Sequence, residues 1–204
     1  MTHFFSIDNA FFRIMTKVFY ICALSLLWLL CCIPIVTIGA ANAALNAVML
    51  RMVRDEEGYI IRTYFKAFRE NFRQATAVWM IVLVGGIILG GDVYFFVRMG
   101  NPVFWAVTAV FIAALVVLAL FFMVAFHYLV WFDNPLKRTV ANALRTALGY
   151  LPYSVALLIL FAAMIYGVYA SVPLMVVFTF FGAGIYAYIS AYLWRRVFDR
   201  LAQS

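Results

Sequence analysis

Asp92 and His127 are the ionisable side chains that stand in or beside the long apolar runs of this chain, so chemistry inside those runs begins with them. An ionisable group in lipid is costly and is a functional candidate by default. Asp92 lies near the end of its run, and Arg98 follows a few residues on, so an ion pair competes with a functional role. His127 stands among Phe126, Tyr128, Trp131 and Phe132, where a hydrogen-bonded structural imidazole competes with a proton relay. No second carboxylate accompanies them at membrane depth, which disfavours an ion-coupled pump. Asn42 and Asn46 are four apart and share a helix face. Their amides either bond across a helix contact or line a solute path.

The search for a nucleophile with its base, for HExxH, for a Walker loop and for a dinucleotide fingerprint finds none of them. Cys22, Cys31 and Cys32 make no CxxC pair and read as small packing residues. The expectation is a protein that is not an enzyme, with no metal site and no cofactor.

These side chains must be carried by helices in a bilayer. No Asp, Glu, Lys or Arg occurs over residues 18–50, 74–91, 99–132 or 146–194. Each run matches or exceeds the ~20 apolar residues that cross a bilayer as a helix. The chain is 68% hydrophobic and 11% charged, too apolar to cover a water-soluble fold. The net charge of +7 sits in short segments between apolar runs, which points to anionic headgroups and excludes nucleic acid as the partner. Pro34 and Gly39 divide the first run into helices near 16–35 and 39–53; the second is short and either spans, tilts or re-enters. Further spans are expected at 75–97, 103–132, 151–170 and 173–194, with turns at Gly100-Asn101-Pro102 and Ser171-Val172-Pro173.

The reading is therefore an all-α, polytopic transmembrane helical bundle of about six hydrophobic helices, five if 39–53 does not span. It forms a single membrane domain over residues 1–204. Arg13 and Lys17 precede an apolar run, but that run is too long for a cleaved leader. Basic residues at 51–73, 137–145 and 195–200 place those segments, and with six spans both termini, in the cytoplasm. Trp79, Trp105, Trp131 and Trp194 fall near span ends, where an aromatic belt would put them.

Residues 60–73 form the clearest amphipathic segment. Ile61, Phe65, Phe68 and Phe72 make one stripe, and Arg62, Lys66, Arg69 and Arg73 make another about 100° away. Such a helix is expected to lie flat at the membrane surface, rings down and cations at the headgroups. It serves as a connector or as a docking face for a soluble partner. Residues 137–150 echo it, with Val140, Leu144 and Leu148 opposite Arg138 and Arg145, which points to an internal repeat of basic helix and hairpin. The small-residue rows Gly39/Ala43/Ala47, Gly86/Gly90 and Ala183/Ala187/Ala191 read first as packing within the chain and second as contacts of a homo-oligomer.

The run Pro34 to Ala41, then Arg54-Asp55-Glu56-Glu57-Gly58-Tyr59, then Phe65, Phe68, Asn71, Phe72, Gln74, Ala75 and Thr76, resembles the YesL-like family of small bacterial membrane proteins. That family is a domain of unknown function whose members are encoded beside carbohydrate uptake and degradation components. The resemblance implies a bacterial plasma membrane and an accessory or sensor role beside a carbohydrate transporter, and it supplies no catalytic residues. On this reading Phe65, Phe68, Asn71 and Phe72 anchor the partner. The alternative is a small-solute or sugar permease, with Asn42, Asn46 and the break at 34–39 lining its path.

Overall fold

A computed structural model of the chain describes residues 10–56, 58–99 and 102–201, all helix or short connection. In chain order the helices are α1 (Ala10–Cys31), α2 (Ile38–Val53), α3 (Ile60–Met99), α4 (Pro102–Trp131), α5 (Leu136–Gly149), α6 (Leu151–Ala170) and α7 (Val172–Leu201). The fold is an all-α bundle. Five stretches are long and apolar enough to cross a membrane: 35–53, which takes in α2 and the short 3₁₀ turn before it, the helices α3, α6 and α7, and α4 from Phe104. The apolar part of α1, Met15–Cys31, is shorter. The segment 39–53, the one in doubt from sequence, is thus among the five, and α2 is also the most enclosed of them.

The prolines punctuate this order. Each of the five stands just before a helix or in its first turn: Pro34 ahead of the 3₁₀ turn at Ile35–Thr37, Pro102 and Pro135 at the starts of α4 and α5, Pro152 and Pro173 inside α6 and α7. A ring locked near −65° with no N–H suits a first turn and spoils an interior. The turn between α1 and α2 satisfies its own carbonyls, with Thr37 Oγ1 2.6 Å from the Cys31 oxygen and 2.7 Å from that of Pro34. The expected turn at Gly100-Asn101 lies outside the described residues.

No proline or break interrupts residues 60–99, and this corrects the sequence reading. The amphipathic segment 60–73 is not a separate helix lying flat. It is the first part of a single 40-residue helix about 60 Å long, twice the ~30 Å of a hydrocarbon core. Its echo differs. Gly149 and Pro152 end α5 at Tyr150, so α5 and α6 are two helices and the proposed repeat is not mirrored in the fold.

The buried faces of α3 and α5 are not the apolar stripes expected from the sequence. Ile60, Tyr64, Ala67, Ala75 and Val78 of α3 are buried, whereas Ile61, Phe65 and Phe72 of the predicted apolar stripe are exposed. In α5 the buried residues are Thr139, Ala143, Thr146 and Ala147, while Leu148 is exposed. Close backbone approach between α2 and α3 fixes part of the buried face of α3. Gly39 shows the limit: a Cβ there would collide with the Ala75 carbonyl and the Trp79 Cβ. Beyond Trp79, α3 is paired by α4, through Gly85 on Leu118 and Phe96 on Phe104 and Phe111.

Candidate functional site

At one end of the bundle the basic side chains gather around the α2–α3 turn. Asp55 has φ 57°, the left-handed region. The Glu56 N–H donates to the Arg51 carbonyl (3.0 Å) and the Asp55 N–H to that of Met52 (3.2 Å), which is a Schellman close of α2 with Asp where Gly is usual. Lys17 Nζ sits 2.7 Å from Asp55 Oδ1 and ties α1 to the turn. Arg195 of α7 donates to the Val53 carbonyl at 2.7 Å, so a cation caps the carbonyl end of α2.

Beside the turn is a groove of about 320 Å³ lined by Arg51, Arg54, Glu56, Glu70, Asn71 and Trp131 among others. The Arg54 guanidinium stacks 4.1 Å from the Trp131 ring centre. Asn71 donates to its own helix at Ala67 (2.9 Å), and among the described residues its side-chain oxygen has no donor. The predicted cations Arg62, Lys66, Arg69 and Arg73 are all exposed, and Lys66 approaches Glu70 at 3.9 Å. Phe65 and Phe72 are exposed; Phe68 is half-buried, its ring 6.4 Å from Tyr64 and 5.7 Å from Phe72. The four proposed anchors therefore divide: two rings face outward, one packs, and the amide joins the groove.

A second space lies inside the apolar part of the bundle. It measures about 360 Å³ and is lined by Trp28, Asn42, Asn46, Trp79, Phe178 and Tyr186 with aliphatic neighbours. Asn42 is spent within the wall: its Oδ1 accepts from Trp28 Nε1 (3.2 Å) and its Nδ2 donates to the Ile38 carbonyl (3.1 Å). Asn46, the other predicted amide, opens into the space.

Asp92 and His127 do not join it. Among the described residues Asp92 makes no ion pair with Arg98, whose guanidinium lies over Tyr94 instead. Six residues is 600° of helix turn, which sets the two side chains about 120° apart. His127 is buried, with Nδ1 3.1 Å from the Met123 carbonyl and Nε2 2.8 Å from Ser190 Oγ. Nδ1–H donates to the Met123 carbonyl, and Nε2 of a neutral ring competes with the Ala187 carbonyl, 3.0 Å from Ser190 Oγ, for the one hydroxyl proton of Ser190. This joins α4 to α7 and leaves no route onward to a carboxylate.

Other contacts had no clear signal in the sequence. Gln74 donates to the Asn134 carbonyl (2.8 Å) and to Thr139 Oγ1 (2.9 Å), fastening α3 to the α4–α5 turn. The Gly184 N–H donates to Ser25 Oγ at 2.9 Å where α1 crosses α7. Trp194 is wholly buried and stacks on Phe198, so it is a core residue and not part of an aromatic belt. Among the described residues no group of three or more His, Cys, Asp or Glu could hold a metal ion.

The family described as Protein of unknown function, DUF624, matches residues 21–93. That stretch holds the α1–α2 turn, both asparagines of the inner cavity, the Asp55 turn and most of α3. No curated protein and no solved structure matches the chain.

Proposed function

We propose that this is a non-enzymatic membrane protein that docks a partner at its basic end, as an accessory or sensor component of carbohydrate uptake in a bacterial plasma membrane. The observation that carries this reading is the unbroken 40-residue length of α3. About 30 Å of that helix suffices for the hydrocarbon core, and the charge-free residues 74–91 occupy it. Residues 60–73 therefore stand clear of the core, with Phe65 and Phe72 exposed on one face of α3 and Glu70 and Asn71 lining the Arg54–Trp131 groove on another. Aromatic rings and Arg are the residue types enriched at interaction hot spots, and this end of the bundle offers both. With α1 taken as a sixth crossing beside the five longer stretches, both termini are read as cytoplasmic from the positive-inside rule, and Arg69 and Arg73, next to the core, meet the anionic headgroups of the inner surface. The YesL-like resemblance of residues 34–76 supports the link to sugar acquisition.

A photo-crosslinking amino acid at Phe65 or Phe72 in native membranes is expected to capture a transporter component, and one at Ile87 is not. Recovery of the protein alone from both positions would refute the reading. A second reading, a small-solute permease, would use the inner cavity lined by Asn42 and Asn46, where only Asn46 is free to bind, which counts against a sugar as the solute. Proteoliposome uptake across a sugar panel tests it, and absence of flux counts against it.

A further inference from the structure

The inner cavity contains one polar group that the fold leaves unmatched. Asn46 is 7% exposed, lines the space, and has no hydrogen-bond partner among the described residues. Buried amides are nearly always partnered, and the Asn46 amide is reached from the space, so its hydrogen bonds are left to whatever fills it. The other polar groups of the wall are engaged. Asn42 bonds Trp28 and Ile38, Trp79 Nε1 donates to the Ile35 carbonyl (2.8 Å), and the Thr179 hydroxyl donates to that of Met175 (2.7 Å). Tyr186 turns its hydroxyl onto the Met123 sulfur. Hydrogen-bonding capacity is thus concentrated at Asn46, and the rest of the wall is rings and aliphatic chains with no charged side chain.

That inventory selects a ligand class. A sugar would bring a hydroxyl on almost every carbon and find one free amide, so most of its polar groups would be buried unpaired. An ion would find no counter-charge. A water held by Asn46 would lack the two to four polar partners that buried waters take. What fits is a mainly apolar body with one neutral hydrogen-bonding head. The volume of about 360 Å³ lies within the range of ligand pockets. One wall of the cavity is also irregular in the way binding sites often are: Phe178–Gly182 of α7 form a π turn, which places Phe178, Thr179 and Gly182 on the cavity.

We propose that this cavity binds an uncharged, mainly apolar molecule through a single hydroxyl, ester or amide held by Asn46, the chemistry of a long-chain alcohol or a neutral acylglycerol. The probe is a long-chain alcohol bearing a diazirine, added to the full-length protein in micelles and read by peptide mass spectrometry. Label is expected on the peptides holding Met164 and Phe178. Unlabelled alcohol should compete, while the matching carboxylate and glucose should not. Asn46→Leu is expected to weaken labelling about five- to tenfold, the loss of one buried hydrogen bond. Thr179→Trp, a change at an exposed position that fills the cavity mouth, should abolish it even if Asn46→Leu fails to fold. Organic extraction of the washed protein separates the sources: a stoichiometric neutral lipid means the bilayer supplies the ligand, and none means a diffusible one. Labelling that is equal at Ile87 and Tyr169 and indifferent to both variants would overturn the proposal. So would competition by glucose as strong as that by the alcohol.

Discussion

Gly39 and Gly86 each open a small-residue row, and the bundle uses only one of them. Gly39 is pressed on the α3 backbone, whereas Gly86 and Gly90 face open space. Packing within the chain was expected of all three rows, and the Gly86/Gly90 row departs from it because α4 approaches α3 at Gly85, one residue round the helix. Gly39→Leu should therefore lower the thermal stability in micelles by roughly 1–3 kcal/mol or prevent folding, as overpacking does. Gly86→Leu should leave the melting temperature of the monomer unchanged. Asp55 offers a second contrast. Its left-handed backbone penalises a branched side chain, so Asp55→Val is expected to cost about 1–2 kcal/mol. Asp55→Gly relieves the backbone and forfeits the exposed pair with Lys17, worth little, so denaturation should find it close to neutral.

At the scale of elements, helix limits were legible wherever proline wrote them. The expected spans 103–132 and 151–170 match α4 and α6 to within a residue, because Pro102 and Pro152 fix their starts. The end of α1 came earlier than expected, at Cys31, since the residue before Pro34 is already pushed out of the helical region. The continuity of α3 was not legible. A switch from amphipathic to wholly apolar pattern near Gln74 looks like a boundary, yet nothing at Gln74, Ala75 or Thr76 stops a helix. The buried face of residues 60–73 was misread because the ridge that packs on α2, Ile60, Tyr64 and Ala67, is offset round the helix from the stripe of Ile61, Phe65 and Phe72. The continuity is measurable. Spin labels at Arg62 and Arg98, in a background without the native cysteines, should lie about 54 Å apart at 1.5 Å per residue. A flat 60–73 segment would bring them to roughly 40 Å by the same rise.

Over the whole molecule, charge and apolar length were enough to give the class, an all-α bundle with five helices able to cross a membrane. They could not give the inner cavity. Asn42 and Asn46 were legible as a pair on one face, but which of the two is spent on its own wall depends on Trp28, a residue brought there only by the α1–α2 turn. Nor could they give the basic groove, which needs Trp131 from α4 beneath Arg54 from the α2–α3 turn. The sidedness is testable directly. Single cysteines near Gly58 and Asn134, in a background without the native ones, should react with a membrane-impermeant maleimide only after the cells are opened. One at Ser171 should react in intact cells, and the reverse pattern would invert the orientation.

The unbroken length of α3 has a mechanical corollary. A rod without a hinge cannot keep a disturbance local: whatever leans on Phe65 also swings Tyr94, and a 10° change of tilt over ~60 Å displaces one tip by about 10 Å relative to the other. Contact made on one side of the bilayer would thus be felt as movement on its far side, with α4 carried along through Phe96 and Phe104.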